Sequence, residues 1–210
     1  MIRPRRFGDA GQVFPIYLVV VGGLLFLAFA YFAVGQAAVN RNGAQTAADA
    51  AALAAAQDTR DKLAGKWVEE VLDPSKWRDI FNGDGVEFDG CWRAYQLASQ
   101  NGAHVDDNAG GCEPQLASLS YTVHVQADEP VGDSILPGTE NRHASASATA
   151  VIEPRCDFKP PAEDAGDDVL PRLVCQDDKD WNLRPDDLTD LPKPEDLFDV
   201  HLADSQANDE

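Results

Sequence analysis

Between Val13 and Val39 the chain is almost unbroken apolar sequence, VFPIYLVVVGGLLFLAFAYFAVGQAAV, and no charged residue lies between Ala10 and Asn40. About 20 apolar residues cross a bilayer core, so this run predicts a membrane span, with Pro15 tolerated in its first turn. The pattern then changes without a break. From Ala44 to Ala56 alanine dominates every face, and alanine has the highest intrinsic helix preference. Gly43 is the only glycine between Gly35 and Gly65, and the next proline is Pro74. Together the two stretches predict one rod from about Phe14 to about Leu72, roughly 85 Å long.

Beyond the rod, Leu63, Trp67, Val68, Val71 and Leu72 recur at helical spacing, and Trp77, Ile80 and Phe81 follow Pro74. They are expected to seat the rod on a globular head. CWRAYQLASQNGA offers Trp92, Tyr95, Leu97 and Ala98 as the apolar residues of a short helix closed by Gly102. Two alternating runs read as half-buried strands: LASLSYTVHVQA, with Leu119, Tyr121, Val123 and Val125 on one face, and HASASATAVIEP. A weaker strand covers Ala103 to Asp106. The fold class is α+β: a transmembrane helix extended into a small head with an antiparallel sheet, then an acidic tail. The expected divisions are a basic amino terminus (1–11), a span (12–39), an alanine-rich helix (40–72), the head (73–156) and the tail (157–210).

Composition separates that last division from the rest. The formal net charge is -19, and residues 157–210 hold many Asp, six prolines and only five Lys or Arg. Such a segment buries too little apolar surface to offset its ordering entropy and reads as largely disordered. Leu197, Phe198, Val200 and Leu202 form a candidate docking motif within it. The acidity also makes nucleic acid a poor partner, because phosphate binding depends on clustered Lys and Arg. Arg3, Arg5 and Arg6 precede the span instead, and the positive-inside rule puts the amino terminus in the cytoplasm and everything past Asn40 outside. A cleaved signal peptide, cut near Ala37 or Ala38, is the competing reading, but its apolar region would run only about 7–15 residues.

Four cysteines fit an exported head. Cys91, Cys112, Cys156 and Cys175 allow three pairings, of which sequence neighbours are the simplest: Cys91 with Cys112 and Cys156 with Cys175. A zinc site would call for a C-x-x-C pair or a close histidine, and neither is present.

Catalytic patterns are missing. His104, His124, His143 and His201 stand in no metal-ligand spacing, no serine occupies a G-x-S-x-G turn, and there is no phosphate loop or dinucleotide fingerprint. Asn82, Asp84, Glu87 and Asp89 crowd the turn NGDGVEFDG, but Val86 occupies a position where a calcium loop needs a ligand, so the turn reads as solvated. No enzyme activity, cofactor, metal or small-molecule substrate is expected.

What the rod offers is smallness. Alanine and glycine let a helical backbone approach a neighbour closely. Gly22, Gly23, Ala33 and Ala37, then Ala44, Ala48, Ala51 and Ala55, are the candidate helix-packing residues. A stiff spacer is the plainer reading.

The segment GDAGQVFPIYLVVVGGLLFLAFAYFAVGQAAVNRNGAQTAADAAALAAA, with Gly11 and Gln12 before the span and Gln45 to Ala56 after it, resembles the TadE/TadG-like proteins of Flp (tight adherence) pilus assembly, in the form common in actinobacteria. The likeness covers about residues 8–60. It implies a single-pass protein anchored in the cell membrane, a minor pilin or accessory structural protein, with other pilin-like helices and membrane lipid as its partners. Prepilin-type substrates carry Glu at the fifth mature position. A cut after Gly11 would put Ile16 there, and a cut after Gly8 would put Val13, so a retained anchor is expected. The functional expectation is therefore a structural or assembly component acting through packing of its amino-terminal helix. The alternative is a membrane-stalked binding module for a cell-envelope partner or a cation.

Overall fold

The computed structural model describes residues 13–130, 141–159, 169–176 and 179–203. One helix, α1 (Val13–Glu69), runs the full length expected for the rod, 57 residues without interruption. It ends where the chain approaches Pro74, and Asp73 accepts the Ser75 backbone N–H to start a short 3₁₀ turn over Pro74–Lys76. Two shorter helices come next, α2 (Trp77–Phe81) and α3 (Cys91–Gln100).

The strands are β1 (Ala103–Val105), β2 (Cys112–Gln115), β3 (Ser120–Pro130), β4 (His143–Pro154), β5 (Cys156–Lys159), β6 (Arg172–Cys175), β7 (Asp180–Trp181) and β8 (Phe198–Leu202). A one-turn helix, α4 (Pro194–Leu197), leads into β8. An antiparallel sheet is ordered β1-β3-β4-β8, with β2 also pairing along β3, and β5-β6-β7 form a second, smaller sheet. The fold is α+β, with an amino-terminal apolar helix, an antiparallel sheet and two disulfides.

Alternation explains how the main sheet faces the helix. On β3, Tyr121, Val123 and Val125 are buried while Thr122 and His124 are half-buried on the other face. On β4, Ala150 and Ile152 are buried and Ala146 and Ala148 pack against the same core. The outer half of α1 lies across this face, and α3 packs beside it. At the end of α1 an aromatic cluster closes the core. Trp67 stands 5.4 Å from Trp77, Trp77 5.7 Å from Phe158, and Phe81 5.4 Å from Phe198 (ring centroids).

Two expectations change in the head. The helix α3 forms, but its buried residues are Ala94 and Ala98, while Trp92 and Tyr95 are exposed. Its axis lies so close to α1 that only small side chains fit between them. The expected boundary at residue 156 does not separate the head from the chain beyond it. Leu173, Leu197 and Phe198 are fully buried, and β8 pairs with β4 from Ala150↔Leu202 to Pro154↔Phe198. In their described parts, residues 157–203 therefore contribute strands and core instead of a detached tail. A few well-placed apolar residues outweigh an acidic average.

Candidate functional site

The resemblance falls on α1, and α1 has two halves in different surroundings. Its first half projects from the head. Phe14, Leu24, Phe26 and Tyr31 are all exposed, and Phe14–Phe32 is long and apolar enough to cross a membrane. Gly22 and Gly23 lie in this half, and a Cβ added at either would meet nothing within 4 Å. The side chains of Ala33 and Ala37 lie outside the described ones. Nothing within the described chain touches the small surface at Gly22 and Gly23.

From Ala44 onward the helix is inside the head. Ala44, Ala47, Ala48, Ala51, Ala52, Ala55, Thr59, Leu63 and Trp67 form a continuous buried stripe at three- and four-residue spacing. Of the candidate packing residues, Ala44, Ala48, Ala51 and Ala55 are thus covered by the chain's own sheet and α3. That corrects the expectation that they face other helices. An all-alanine surface specifies close approach but not the identity of the neighbour. Here the neighbour is β4, whose inward positions Ala146, Ala148 and Ala150 are equally small.

The backbones come close at Gly90, the residue before α3. A Cβ there would stand 2.3 Å from the Ala55 carbonyl oxygen, so no larger residue fits without moving α3 off α1. Beside it lies a buried polar node. Tyr121 Oη is 2.7 Å from Thr59 Oγ1 and accepts the Gly90 N–H at 3.2 Å. Burial pushes the Tyr121 phenol above its ordinary range, with the Thr59 and Gly90 hydrogen bonds acting against that. Sequence reasoning missed this node. Its trace was visible: Thr59 is the one hydroxyl on a stripe that is otherwise apolar from Ala44 to Trp67.

The exposed side of α1 carries ion pairs. Lys62 meets Asp58 at 2.7 Å and also pairs with Asp89. Burial works against the Lys62 charge, but the two carboxylates outweigh it and hold the ammonium above the usual lysine range. Glu70 joins Lys76 at 2.7 Å and Lys66 at 3.1 Å, and both cations hold its carboxyl below the usual range.

The remaining candidate groups are dispersed. His104 pairs with Asp128 at 2.8 Å, His143 Nδ1 lies 2.8 Å from the Ala127 carbonyl, and His201 pairs with Asp199 at 3.1 Å. In the NGDGVEFDG turn Asp89 is engaged by Lys62, and among the described residues no three His, Cys, Asp or Glu are grouped to hold a metal. Cys91 is bonded to Cys112, fastening α3 to β2, and Cys156 to Cys175, its register partner across β5 and β6.

Residues 11–58 match a family model described as putative Flp pilus-assembly TadE/G-like. No curated protein and no solved structure matches the chain. The matched segment begins just before α1 and ends one residue before Thr59. It spans both halves of the helix, the projecting apolar part and the alanine stripe that seats it in the head. The match supports a role in pilus assembly, and the apolar helix fits a membrane-anchored protein.

Proposed function

We propose that this chain, whose residues 11–58 carry the pilus-assembly match, is a membrane-anchored structural component of a Tad (Flp) type pilus or secretion apparatus. It acts by packing the projecting half of α1 against other single-span helices, with the amino terminus in the cytoplasm and the disulfide-braced head outside. It makes and breaks no bonds.

The observation that carries this reading is the division of α1. The alanines from Ala44 to Ala56 are occupied within the head, while Gly22 and Gly23 present open small surface on a lipid-length apolar helix. In lipid there is no hydrophobic drive between helices, and close contact at small residues supplies the association. The packing face thus moves from the alanine stripe into the membrane.

Site-specific photo-crosslinking in the native membrane tests it. A photoreactive side chain at Gly22 or Gly23 is expected to give adducts with other membrane-spanning components of the apparatus. One at Ala48 is expected to react only within the chain. Adducts with lipid alone from Gly22 and Gly23 would defeat the packing mechanism, and adducts with an unrelated envelope protein formed through the head would favour a stalked binding module instead.

A further inference from the structure

The main sheet ends in two edges of different character. At one of them β2 carries Pro114. The His124 N–H donates to the Gly111 carbonyl at 2.8 Å, which sets the ladder so that Glu113 and Gln115 bond to β3 while Cys112 and Pro114 turn their backbone groups outward. Pro114 has no N–H to offer there, and β1, on the same side of β3, is only three residues long. Short strands and an edge proline keep other chains from pairing.

The other edge is β8. The Ala203 N–H donates to the Thr149 carbonyl at 2.8 Å and the Arg155 N–H to the Leu197 carbonyl at 2.9 Å, and these two bonds bracket the strand. By alternation Asp199 and His201 bond to β4, and Val200 and Leu202 direct their N–H and C=O groups to the outer edge. Phe198 gives its N–H to the Pro194 carbonyl. Among the described residues no strand pairs with this edge and no backbone group bonds to Val200 or Leu202 from that side. Both residues are half-buried.

The side chains along β8 state what would suit it. Val200 and Leu202 pack against the core on the inner face. On the outer face Glu153 and Asp199 stand directly opposite each other on β4 and β8, and like charges in that position repel. Asp199 has His201 at 3.1 Å, on its own strand. A Lys or Arg beside Asp199 on a further strand would offset the repulsion.

A second copy does not fit. Two β8 strands paired about a two-fold axis would run antiparallel, with the axis normal to the sheet. The helix α1 lies along the sheet in the same sense as β4: Gln45 reaches Ser147, and further along both, Thr59 meets Tyr121, the strand partner of Ala150. Such an axis would reverse one α1 against the other, and the two spans could not enter one membrane from the same side. This exclusion rests on the membrane-anchor reading above.

We propose that the outer edge of β8 is a docking site for an extended segment of a different protein, which adds a strand to the main sheet. Main-chain hydrogen bonds to Val200 and Leu202 hold it. Its apolar residues alternate onto the inner face beside those two side chains, and its Lys or Arg residues onto the outer face beside Asp199 and Glu153.

Residue-resolved amide exchange on the full chain in nonionic detergent tests this. In the chain alone, the Val200 and Leu202 amides are expected to exchange fast and those of Asp199 and His201 slowly. The probe is a short peptide alternating valine and lysine, with one alternating valine and glutamate as its control. At about ten times its dissociation constant the lysine peptide is expected to slow Val200 and Leu202 about tenfold. The glutamate peptide at the same concentration is expected to leave them unchanged. Val200→Pro removes the central donor where an edge strand tolerates proline, and is expected to abolish binding with the melting temperature retained. Leu202→Pro repeats the test if that variant melts early. Slow exchange at Val200 and Leu202 in the chain alone would mean that the chain fills its own edge, and would overturn the inference. So would equal protection by the two peptides, or none. Protection that grows with the concentration of the chain alone would give the edge to a second copy and overturn it as well. A chain that partitions away from detergent would instead overturn the anchor reading, while the peptide results still decide the edge.

Discussion

The hydroxyl of Thr59 and the phenol of Tyr121 lie 2.7 Å apart, both fully buried, one from the alanine stripe of α1 and the other from the central strand β3. This contact pins the helix to one register on the sheet. Sliding α1 by a turn would part Thr59 from Tyr121 and leave a buried hydroxyl on α1 without its partner, a loss that costs about 1–3 kcal/mol.

Tyr121→Phe is therefore expected to destabilise the head by about 1–3 kcal/mol, because it strands Thr59 Oγ1 and the Gly90 N–H together. Adding Thr59→Val should recover part of that loss. Denaturant melts of the full chain in detergent, followed by tryptophan fluorescence, check it. A double variant no better than the single one would mean that the pair does not act as a unit.

The same phenol predicts an alkaline limit. Its folded-state value is raised, chiefly by burial. Its contribution is then fully present below the unfolded tyrosine value of about 10 and is lost as pH rises through the folded value. Stability measured between about pH 9 and 12 should fall more steeply for the parent than for Tyr121→Phe.

Acid should act through different residues. Lys76 and then Lys66 lower Glu70, Lys62 lowers Asp89, and Lys179 lowers Asp196. Depressed carboxylates contribute stability above their unfolded values near 4, and that contribution is lost as pH falls through the folded values. Titration below about pH 4 should weaken the head, and added salt should shrink the effect for these exposed pairs.

Gly90→Ala and Gly43→Ala should part company. At Gly90 the new Cβ meets the Ala55 backbone at 2.3 Å, whereas at Gly43 it meets nothing within 4 Å. The first is expected to cost more than about 2 kcal/mol, in the range of overpacking, and the second to stabilise the helix by about 0.5–1 kcal/mol. Thermal melts of both variants, with Ala51→Leu as a second overpacking test on the stripe, decide this. A neutral Ala51→Leu would mean that α1 does not lie in close contact with β4.

Removing residues 157–210 should unfold the head instead of trimming it, because β8 completes the main sheet and Leu197 and Phe198 belong to its core. Phe198→Ala alone is expected to cost about 3–5 kcal/mol. A truncated chain that melts with the parent would show that β8 is dispensable.

Local pattern was enough for the longest elements and not for β2, α4 or the strands after β4. The apolar run, the absence of breakers up to Pro74 and the alternation in SYTVHV and ATAVI are properties of neighbouring residues, and they yielded α1 and β4 almost to their ends. The start of β3 differs, because Leu116–Ser118 form a 3₁₀ turn and Leu119, expected on the strand's buried face, stands before it at φ 45°. Of the three pairings the four cysteines allow, the simplest, between sequence neighbours, is the one present. What each element touches was not legible. An alanine stripe says that something comes near without saying what, so only the assembled head shows that Ala48 and Ala51 meet the chain's own sheet and α3. An acidic average likewise hides single residues, and Phe198 is assigned to the core only once β8 finds its register on β4. Sequence determined which segments are stiff and which are oily. The tertiary structure decided which of those surfaces are already used, because burial depends on residues distant in the chain meeting at one place.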